Sequence, residues 1–183
     1  MIDTETTGLH QEKGDRIIEI ALVEYDLETA KQVDQYVQRI HPLRSIDPKA
    51  QEVHGIGIED LVGCPTWEKV APEVHARLSR LDLLIAHNMG FDGPFIGLEL
   101  LRVGMTPPAL QSFCTMESAR WATPMGKLPT LKELCFALSV PYDESAAHAA
   151  LYDVQKTAEC LFRGLARGFY TIETTNDEGR KAA

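Results

Sequence analysis

Acidic side chains open the chain in a spacing that suits a metal site. Asp3 and Glu5 lie two residues apart, so on a strand both carboxylates point to the same side. Two neighbouring carboxylates repel each other, and a hard divalent cation is the usual way to keep both ionised. A solvated strand end would show the same pattern, so the pair alone does not establish a metal site. Thr6, Thr7 and Gly8 follow with a composition typical of a turn, in which Gly8 permits close approach to the backbone.

Two later segments add acidic residues. Asp92 follows the apolar segment 83–86, in the predicted first turn of a helix, where α/β folds tend to bind ligands. The helix macrodipole also favours an acidic residue there without any metal. His148 and Asp153 would diverge by about 140° on one helix. They converge only if His148 lies in a preceding loop and Asp153 in the second turn. That arrangement suits a general base beside a metal ligand. An isolated histidine, however, is more often a plain surface residue.

The elements that must position these residues alternate between strand and helix patterns. Residues 16–25 carry apolar side chains on both faces, which predicts a strand that is covered on both sides. Residues 33–41 are its predicted partner, and residues 83–86 form a short buried strand. Apolar residues at helical spacing predict the helices, which are 67–81, a helix carrying Phe91, Phe95 and Leu98, a helix at 129–138 with Pro129 in its first turn, and a long helix from about Ala149. The order predicts an α/β domain with a mixed sheet.

Composition excludes several classes of protein. The length of 183 residues suits one domain, predicted over residues 1–170, with a polar and disordered tail at 171–183. No apolar run approaches the roughly 20 residues that span a bilayer, and no secretory leader is evident. The four cysteines form no CxxC pair, which argues against zinc and disulfides and predicts a cytoplasmic protein. The net charge of −9 disfavours a protein that coats nucleic acid but permits a metallonuclease.

Taken together, the motifs resemble the DEDD superfamily of exonucleases, in the subclass whose last motif carries histidine (DEDDh), and most of all the DnaQ-like proofreading subunits. The resemblance covers about residues 1–167. It includes Ile17 to Ile20, Val53 to Ile56 and Leu128 to Leu134 besides the three acidic motifs. It implies a ribonuclease-H-like fold, with a central mixed β-sheet flanked by helices.

The resemblance also implies a mechanism. Asp3, Glu5 and Asp153 would hold one divalent ion, and Asp3 with Asp92 would hold a second, with Mg²⁺ favoured and Mn²⁺ a substitute. His148 would take a proton from the water that attacks the terminal phosphodiester, and a 5′-mononucleotide would leave. The implied activity is a 3′→5′ exonuclease.

Residues that would contact the terminal nucleotide follow from the same resemblance. Backbone amides near the turn would contact its 3′-hydroxyl or phosphate, and one leucine matches the apolar wedge of some family members. Two of these residues have structural alternatives, because Phe91 starts the apolar stripe of its helix and Leu9 could cap a core. The set comprises Thr6, Thr7, Gly8, Leu9, His54, Asn88 and Phe91.

Alternatives stay open on the substrate and the partner. The opening Asp3 to Gly8 and the motif from His87 to Asp92 look more like the DNA-directed branch, so DNA 3′ ends are predicted first and RNA second. A non-catalytic module that binds a DNA polymerase is the third reading. The tail lacks a Q-x-x-[LM]-x-F sequence of the kind that binds a sliding clamp, so a polymerase subunit is not established as a partner. The segment from Gln111 to Lys127 departs most from the family pattern, and few residues precede Asp3, so the native start could lie upstream.

Overall fold

The computed structural model describes residues 1–172, so most of the predicted tail, from residue 173 onward, lies outside the described residues. The five strands in this part of the chain are β1 (Ile2–Thr6), β2 (Ile17–Tyr25), β3 (Gln32–Arg39), β4 (Leu83–Ala86) and β5 (Gln111–Cys114). The α-helices are α1 (Pro48–His54), α2 (Trp67–Leu78), α3 (Met89–Arg102), α4 (Leu131–Leu138) and α5 (Ala150–Ala166).

The strands form a mixed arrangement. β1, β2 and β3 pair antiparallel in the order β1-β2-β3, whereas β4 and β5 pair parallel. β1 lies beside β4, so the antiparallel and parallel parts meet at the strand that carries the first acidic residues. The register of β1 on β2 places Asp3 opposite Ala21 and Glu5 opposite Glu19. The predicted α/β architecture with a mixed sheet is confirmed.

Helices cover both faces of the sheet, which explains the apolar pattern of β2. Every residue from Ile17 to Val23 is buried, as predicted for a strand covered on both sides. Ala21 and Val23 pack with α4 and α5, whereas Ile20 and Leu22 pack with α2 and α3. β3 alternates between exposed and half-buried positions, because it lies at the edge of the sheet. The buried centre of the fold therefore lies directly beneath β1 and the start of α5.

Some boundaries differ from the sequence prediction. α4 begins at Leu131, because the Thr130 side chain accepts the amide of Glu133 while the Glu133 carboxylate accepts the amide of Thr130. Pro129 therefore precedes the helix and does not occupy its first turn. α2 ends at Leu78, since the chain must turn before it enters β4, so the predicted extension to Leu81 is wrong.

Three kinds of element have no counterpart in the sequence prediction. Helix α1 is only seven residues long, and β5 is only four. Short 3₁₀ turns occur at Gln11–Lys13, Ile58–Leu61, Glu117–Ala122 and Pro124–Gly126. Each is too short for apolar periodicity to stand out. Within residues 1–172, no helix is both long enough and apolar enough to cross a membrane.

Candidate active site

Three carboxylates meet where β1 passes the first turn of α5. Asp3 and Glu5 share one face of β1, and Asp153 lies in the first turn of α5. One oxygen from each of Asp3, Glu5 and Asp153 lies within 4.8 Å of the other two. An all-oxygen, carboxylate set at this spacing is the type that holds a hard divalent cation.

Asp92 faces the same cavity from α3. Its carboxylate is buried, and Oδ1 accepts a hydrogen bond of 2.8 Å from the Thr4 hydroxyl. Thr4 lies between the two acidic residues of β1 and holds Asp92 against the strand. The acidic residue in the first turn of α3 thus reaches the cluster as the sequence predicts, although it lies outside the set of three that converge within 4.8 Å. This role of Thr4 was not predicted from the sequence.

Burial raises the pKa values of the four carboxyl groups, and neighbouring carboxylates raise those of Asp3 and Glu5 further. Burial raises the pKa of Glu5 to about 9, and the charge of Asp153 adds to it. Burial raises the pKa of Asp92 to about 7, although the hydrogen bond from Thr4 opposes this shift. The pKa of Asp3 lies well above its ordinary value because of burial and then the charge of Asp92, and burial raises that of Asp153. Four carboxyl groups in one place favour bound cations over full ionisation without them.

His148 lies in the loop before α5, as predicted, and its side chain is exposed at the cavity. Its backbone is left-handed, with φ of +63°, and its amide donates to Asp153 Oδ2 at 3.2 Å. Asp153 lies in the first turn of α5 rather than the predicted second. The hydrogen bond from the His148 amide holds the two residues next to each other. The imidazole is thereby left free to act on a proton, which is the arrangement a general base needs.

A second histidine in the cavity, His87, is held by hydrogen bonds at both of its ring nitrogens. His87 Nε2 lies 3.1 Å from the Pro129 carbonyl, and its Nδ1 lies 3.1 Å from the Thr115 hydroxyl. A carbonyl only accepts, so Nε2 carries a proton and donates it in a hydrogen bond to Pro129. Burial lowers the pKa of His87 to about 4, which keeps it uncharged at neutral pH. His87 therefore ties the end of β4 to the segment before α4 and does not compete with His148 as the base.

Glu19 anchors the start of α5 from the neighbouring strand. Its Oε1 accepts the Ala150 amide at 3.2 Å, and its Oε2 accepts Arg39 Nε at 2.9 Å. The residue before the helix, Ala149, has no side chain that could cap it, so Glu19 supplies the acceptor in its place. Glu19 lies within the family motif Ile17 to Ile20, from which no role for it was predicted. The hydrogen-bonded contact across 131 positions has no local signal that could have revealed it.

Two cavities flank Glu5 and Phe91. The first, here called the acidic cavity, has a volume of about 580 Å³ and contains the four acidic residues with His148, Asn88 and Lys132. The second, here called the adjoining cavity, has about 390 Å³ and is lined by Leu9, His54, Val53 and Lys49 among others. Leu9 is exposed and does not cap the core, whereas Phe91 is half-buried against Phe95. Of the predicted contact residues, those at the cavities are Thr6, Gly8, Leu9, His54, Asn88 and Phe91.

Thr7 is the predicted contact residue that reaches neither of these cavities. It is fully buried, its amide donates to Arg16 O at 2.8 Å, and its hydroxyl donates to Asp15 Oδ1 at 3.0 Å. The predicted contact between its amide and a substrate is therefore not supported by the structure, because that amide already continues the β1–β2 ladder. Asp15 also packs under Gly8, where an added Cβ would lie only 2.5 Å from Asp15 Oδ2. A side chain at Gly8 would therefore displace the Asp15 carboxylate, which the Thr7 hydroxyl and the His10 amide hold in place.

The residues fit a divalent metal. Asp153 Oδ1 is buried and has no hydrogen-bond partner among the described residues, although it belongs to the cluster of three. A buried carboxylate oxygen without a partner is costly unless a cation or a solvent molecule satisfies it. The unpaired oxygen, the raised pKa values and the oxygen-only ligands all point to the same kind of ligand.

Comparisons with known proteins agree with this chemistry. Residues 1–161 match the family model RNase_T, described as exonuclease. The chain belongs to this exonuclease family. It is 34% identical over 167 residues to the DNA polymerase III epsilon subunit of Escherichia coli, covering 87% of this chain and 68% of that protein. It is 27% identical to ribonuclease T of Shewanella baltica, covering 87% and 77% of the two chains.

A solved structure supports the same conclusion for the fold. The exonuclease superposes on exonuclease X in complex with 5′ overhanging duplex DNA with a TM-score of 0.70, at 28% identity and 96% coverage of both chains. The predicted ribonuclease-H-like fold and the resemblance to DnaQ-like enzymes are confirmed. The chain is a metal-dependent 3′→5′ exonuclease, which hydrolyses phosphodiester bonds.

The raised pKa values predict how the stability of the metal-free exonuclease depends on pH. A carboxyl group with a raised folded-state pKa keeps its proton where the unfolded chain has lost it, so stability falls as pH rises through that window. For Glu5 the window runs from about 4, the unfolded value, to about 9. Urea unfolding in EDTA should therefore give a lower free energy of unfolding at pH 8 than at pH 6. Glu5→Gln should make the free energy of unfolding less dependent on pH. Saturating Mg²⁺ should stabilise the wild type most at pH 8. A free energy that rises with pH in the wild type but not in Glu5→Gln would contradict this prediction.

Glu19 provides a second test of how the site is built. Glu19→Ala removes the acceptor for the Ala150 amide, which should cost about 0.5–2 kcal/mol of stability. The same change should lower kcat by about tenfold to hundredfold, because His148 and Asp153 lose their anchor. Glu19→Gln keeps an oxygen acceptor and should restore most of both quantities. Urea unfolding and steady-state rates check this, and a Gln variant as damaged as the Ala variant would assign the effect to charge.

Proposed function

We propose that the exonuclease removes 5′-mononucleotides from the 3′ ends of single-stranded or frayed DNA, with two divalent ions. The observation that carries the proposal is the convergence of Asp3, Glu5 and Asp153 within 4.8 Å beside an exposed histidine in an open cavity. Asp3, Glu5 and Asp153 would hold one ion, and Asp3 with Asp92 the other. Mg²⁺ is the proposed ion and Mn²⁺ a substitute, because all ligands are oxygens. Two ions so held would stabilise the attacking and leaving oxygens of an in-line displacement.

The chain's own groups supply the proton transfer and the positioning. The His148 imidazole takes the proton from the attacking water, because its ring is exposed while its backbone is fixed to Asp153. His54 is held by its Nε2, 3.2 Å from the Thr6 carbonyl, and so presents a fixed edge to the adjoining cavity. We assign the terminal nucleotide to the space around Leu9, His54, Asn88 and Phe91, with Thr6 and Gly8 beside it.

DNA is the proposed substrate because of two relatives. The DNA polymerase III epsilon subunit and the DNA complex of exonuclease X both match this chain over most of its length. The likeness to the epsilon subunit also makes a DNA polymerase a candidate partner, and it favours the proposed cytoplasmic location. RNA is the second candidate, because ribonuclease T matches 87% of the chain.

The test is a time course on matched 5′-labelled single strands of DNA and RNA, with Mg²⁺, with EDTA and with the Asp3→Ala variant. We expect a Mg²⁺-dependent ladder that shortens from the 3′ end and forms faster on DNA. A ladder that forms faster on RNA would support the proposed mechanism but make RNA, not DNA, the substrate. Folded protein that yields no ladder on either strand would refute the proposed function and favour a non-catalytic binding module.

A further inference from the structure

Two exposed aromatic rings stack outside the acidic cavity. Trp121, in the 3₁₀ turn Glu117–Ala122, and Phe169, just after α5, have ring centroids 4.2 Å apart and an interplanar angle of 18°. Trp121 is 40% exposed and Phe169 is 45% exposed. Below them, the buried Tyr170 has its ring centroid 6.1 Å from that of Trp121. The pair is thus supported from beneath and open to solvent above.

The stack is connected to the rim of the acidic cavity. The Tyr170 hydroxyl donates to the Thr115 carbonyl at 3.4 Å, and the next residue, Met116, lines the acidic cavity. The Met116 amide in turn donates to the His87 carbonyl at 3.1 Å, at the end of β4. Trp121 therefore lies one short turn beyond the cavity rim. It belongs to the segment Gln111 to Lys127, which the sequence analysis singled out as individual and to which no catalytic role was given.

Two exposed arginines adjoin the stacked rings in the sequence, because Arg120 precedes Trp121 and Arg167 lies two residues before Phe169. The chain has a net charge of −9, yet residues 118–132 contain three basic residues and no acidic one. Residues 160–172, which include Phe169, contain two basic residues and no acidic one. The five basic residues are Arg120, Lys127, Lys132, Arg163 and Arg167. Lys132 lines the acidic cavity but is paired with Glu144, and Lys127 is paired with Glu133, whereas the three arginines have no acidic partner among the described residues.

We propose that Trp121 and Phe169 form a platform on which a base of the single strand stacks, upstream of the scissile phosphate. Every nucleobase has a π-face, so aromatic platforms beside basic groups bind single strands without sequence preference. A protein partner would be served by the exposed rings alone, whereas the exposed arginines beside both rings, Arg120 and Arg167, match the phosphates of a nucleic-acid strand. The inference rests on the proposed function, because a strand whose 3′ end occupies the acidic cavity would have to leave past its rim.

The first test compares Trp121→Ala with Trp121→Phe on a long single strand and on a dinucleotide. Loss of one stacked base should raise KM for the long strand about tenfold with Trp121→Ala, leaving kcat unchanged. The dinucleotide is too short to reach the platform, so its KM should not change. Trp121→Phe keeps an aromatic face and should restore most of the affinity. Phe136→Ala is the matched control, because Phe136 is 88% exposed on α4 and takes no part in the stack.

The second test measures binding without catalysis. The chain has two tryptophans, and Trp67 is buried, so quenching of fluorescence by oligodeoxythymidylate in EDTA reports on Trp121. We expect quenching in the wild type, none in Trp121→Ala, and weaker binding in Phe169→Ala. A wild type that binds with quenching but hydrolyses nothing would refute the proposed function and retain the platform. Unchanged KM for the long strand in a folded Trp121→Ala variant, together with no quenching in the wild type, would overturn the platform and assign the rings to a protein contact.

Discussion

Replacing Asp3 by asparagine or alanine should abolish nucleotide release at every Mg²⁺ concentration. Asp3 is the one carboxylate that we assign to both ions, and its charge lies next to those of Glu5, Asp92 and Asp153. Without it neither ion has its full ligand set, so a higher concentration of Mg²⁺ does not restore the geometry that in-line displacement needs. The measurement is the initial rate on a labelled single strand over a wide range of Mg²⁺ concentration.

The same variant should fold at least as well as the wild type in the absence of metal. Burial and neighbouring charges raise the pKa of Asp3 well above its ordinary value, so a neutral asparagine relieves repulsion in the folded state. Urea unfolding of Asp3→Asn in EDTA separates a loss of chemistry from a loss of structure. Asp82→Asn is the matched control, because Asp82 is exposed and lies outside the acidic cavity. Turnover by Asp3→Asn that recovers at high Mg²⁺ would show that Asp3 is not shared by two ions.

The sequence predicted those elements whose patterns are long or chemically specific. β2 was predicted because its nine residues are apolar on both faces, and β1 because Asp3 and Glu5 require one shared side. The prediction that Asp92 and the two strand acids meet rests on the resemblance to the DEDDh exonucleases, and it agrees with the tendency of α/β folds to gather ligand sites at the carboxyl ends of strands. The structure places all three around one cavity. Their roles as metal ligands stay a prediction that the Asp3 and His148 variants would test.

The sequence missed features that depend on contacts between distant segments. Glu19 meets Ala150 only after β2 and α5 have packed together, and Thr4 meets Asp92 only after β1 and α3 have. Thr7 was assigned to the substrate from the family resemblance, yet its amide pairs with Arg16 across the strands. The start of α4 was placed too early because Pro129 suits a first turn, whereas the reciprocal bonds of Thr130 and Glu133 fix the start at Leu131.

Replacing His148 should slow turnover by roughly 10²–10⁴ while metal binding is retained. The His148 imidazole is exposed at the acidic cavity, whereas the other histidine there, His87, is neutral and bonded through both nitrogens. The bond that links His148 to Asp153 comes from the backbone amide, so it survives any substitution of the side chain. The ligand geometry of Asp153 should therefore persist.

The choice of substitution matters because His148 has a left-handed backbone with φ of +63°. Alanine in that conformation costs roughly 1–2 kcal/mol, whereas asparagine adopts it readily. His148→Asn thus removes the base without straining the loop, and His75→Asn is the control, because His75 bonds to the Thr106 carbonyl outside the acidic cavity. Rates with Mg²⁺ and calorimetric titration with Mn²⁺ give the two quantities separately. A His148→Asn protein that loses Mn²⁺ affinity in proportion to its rate would make His148 a metal ligand rather than the base.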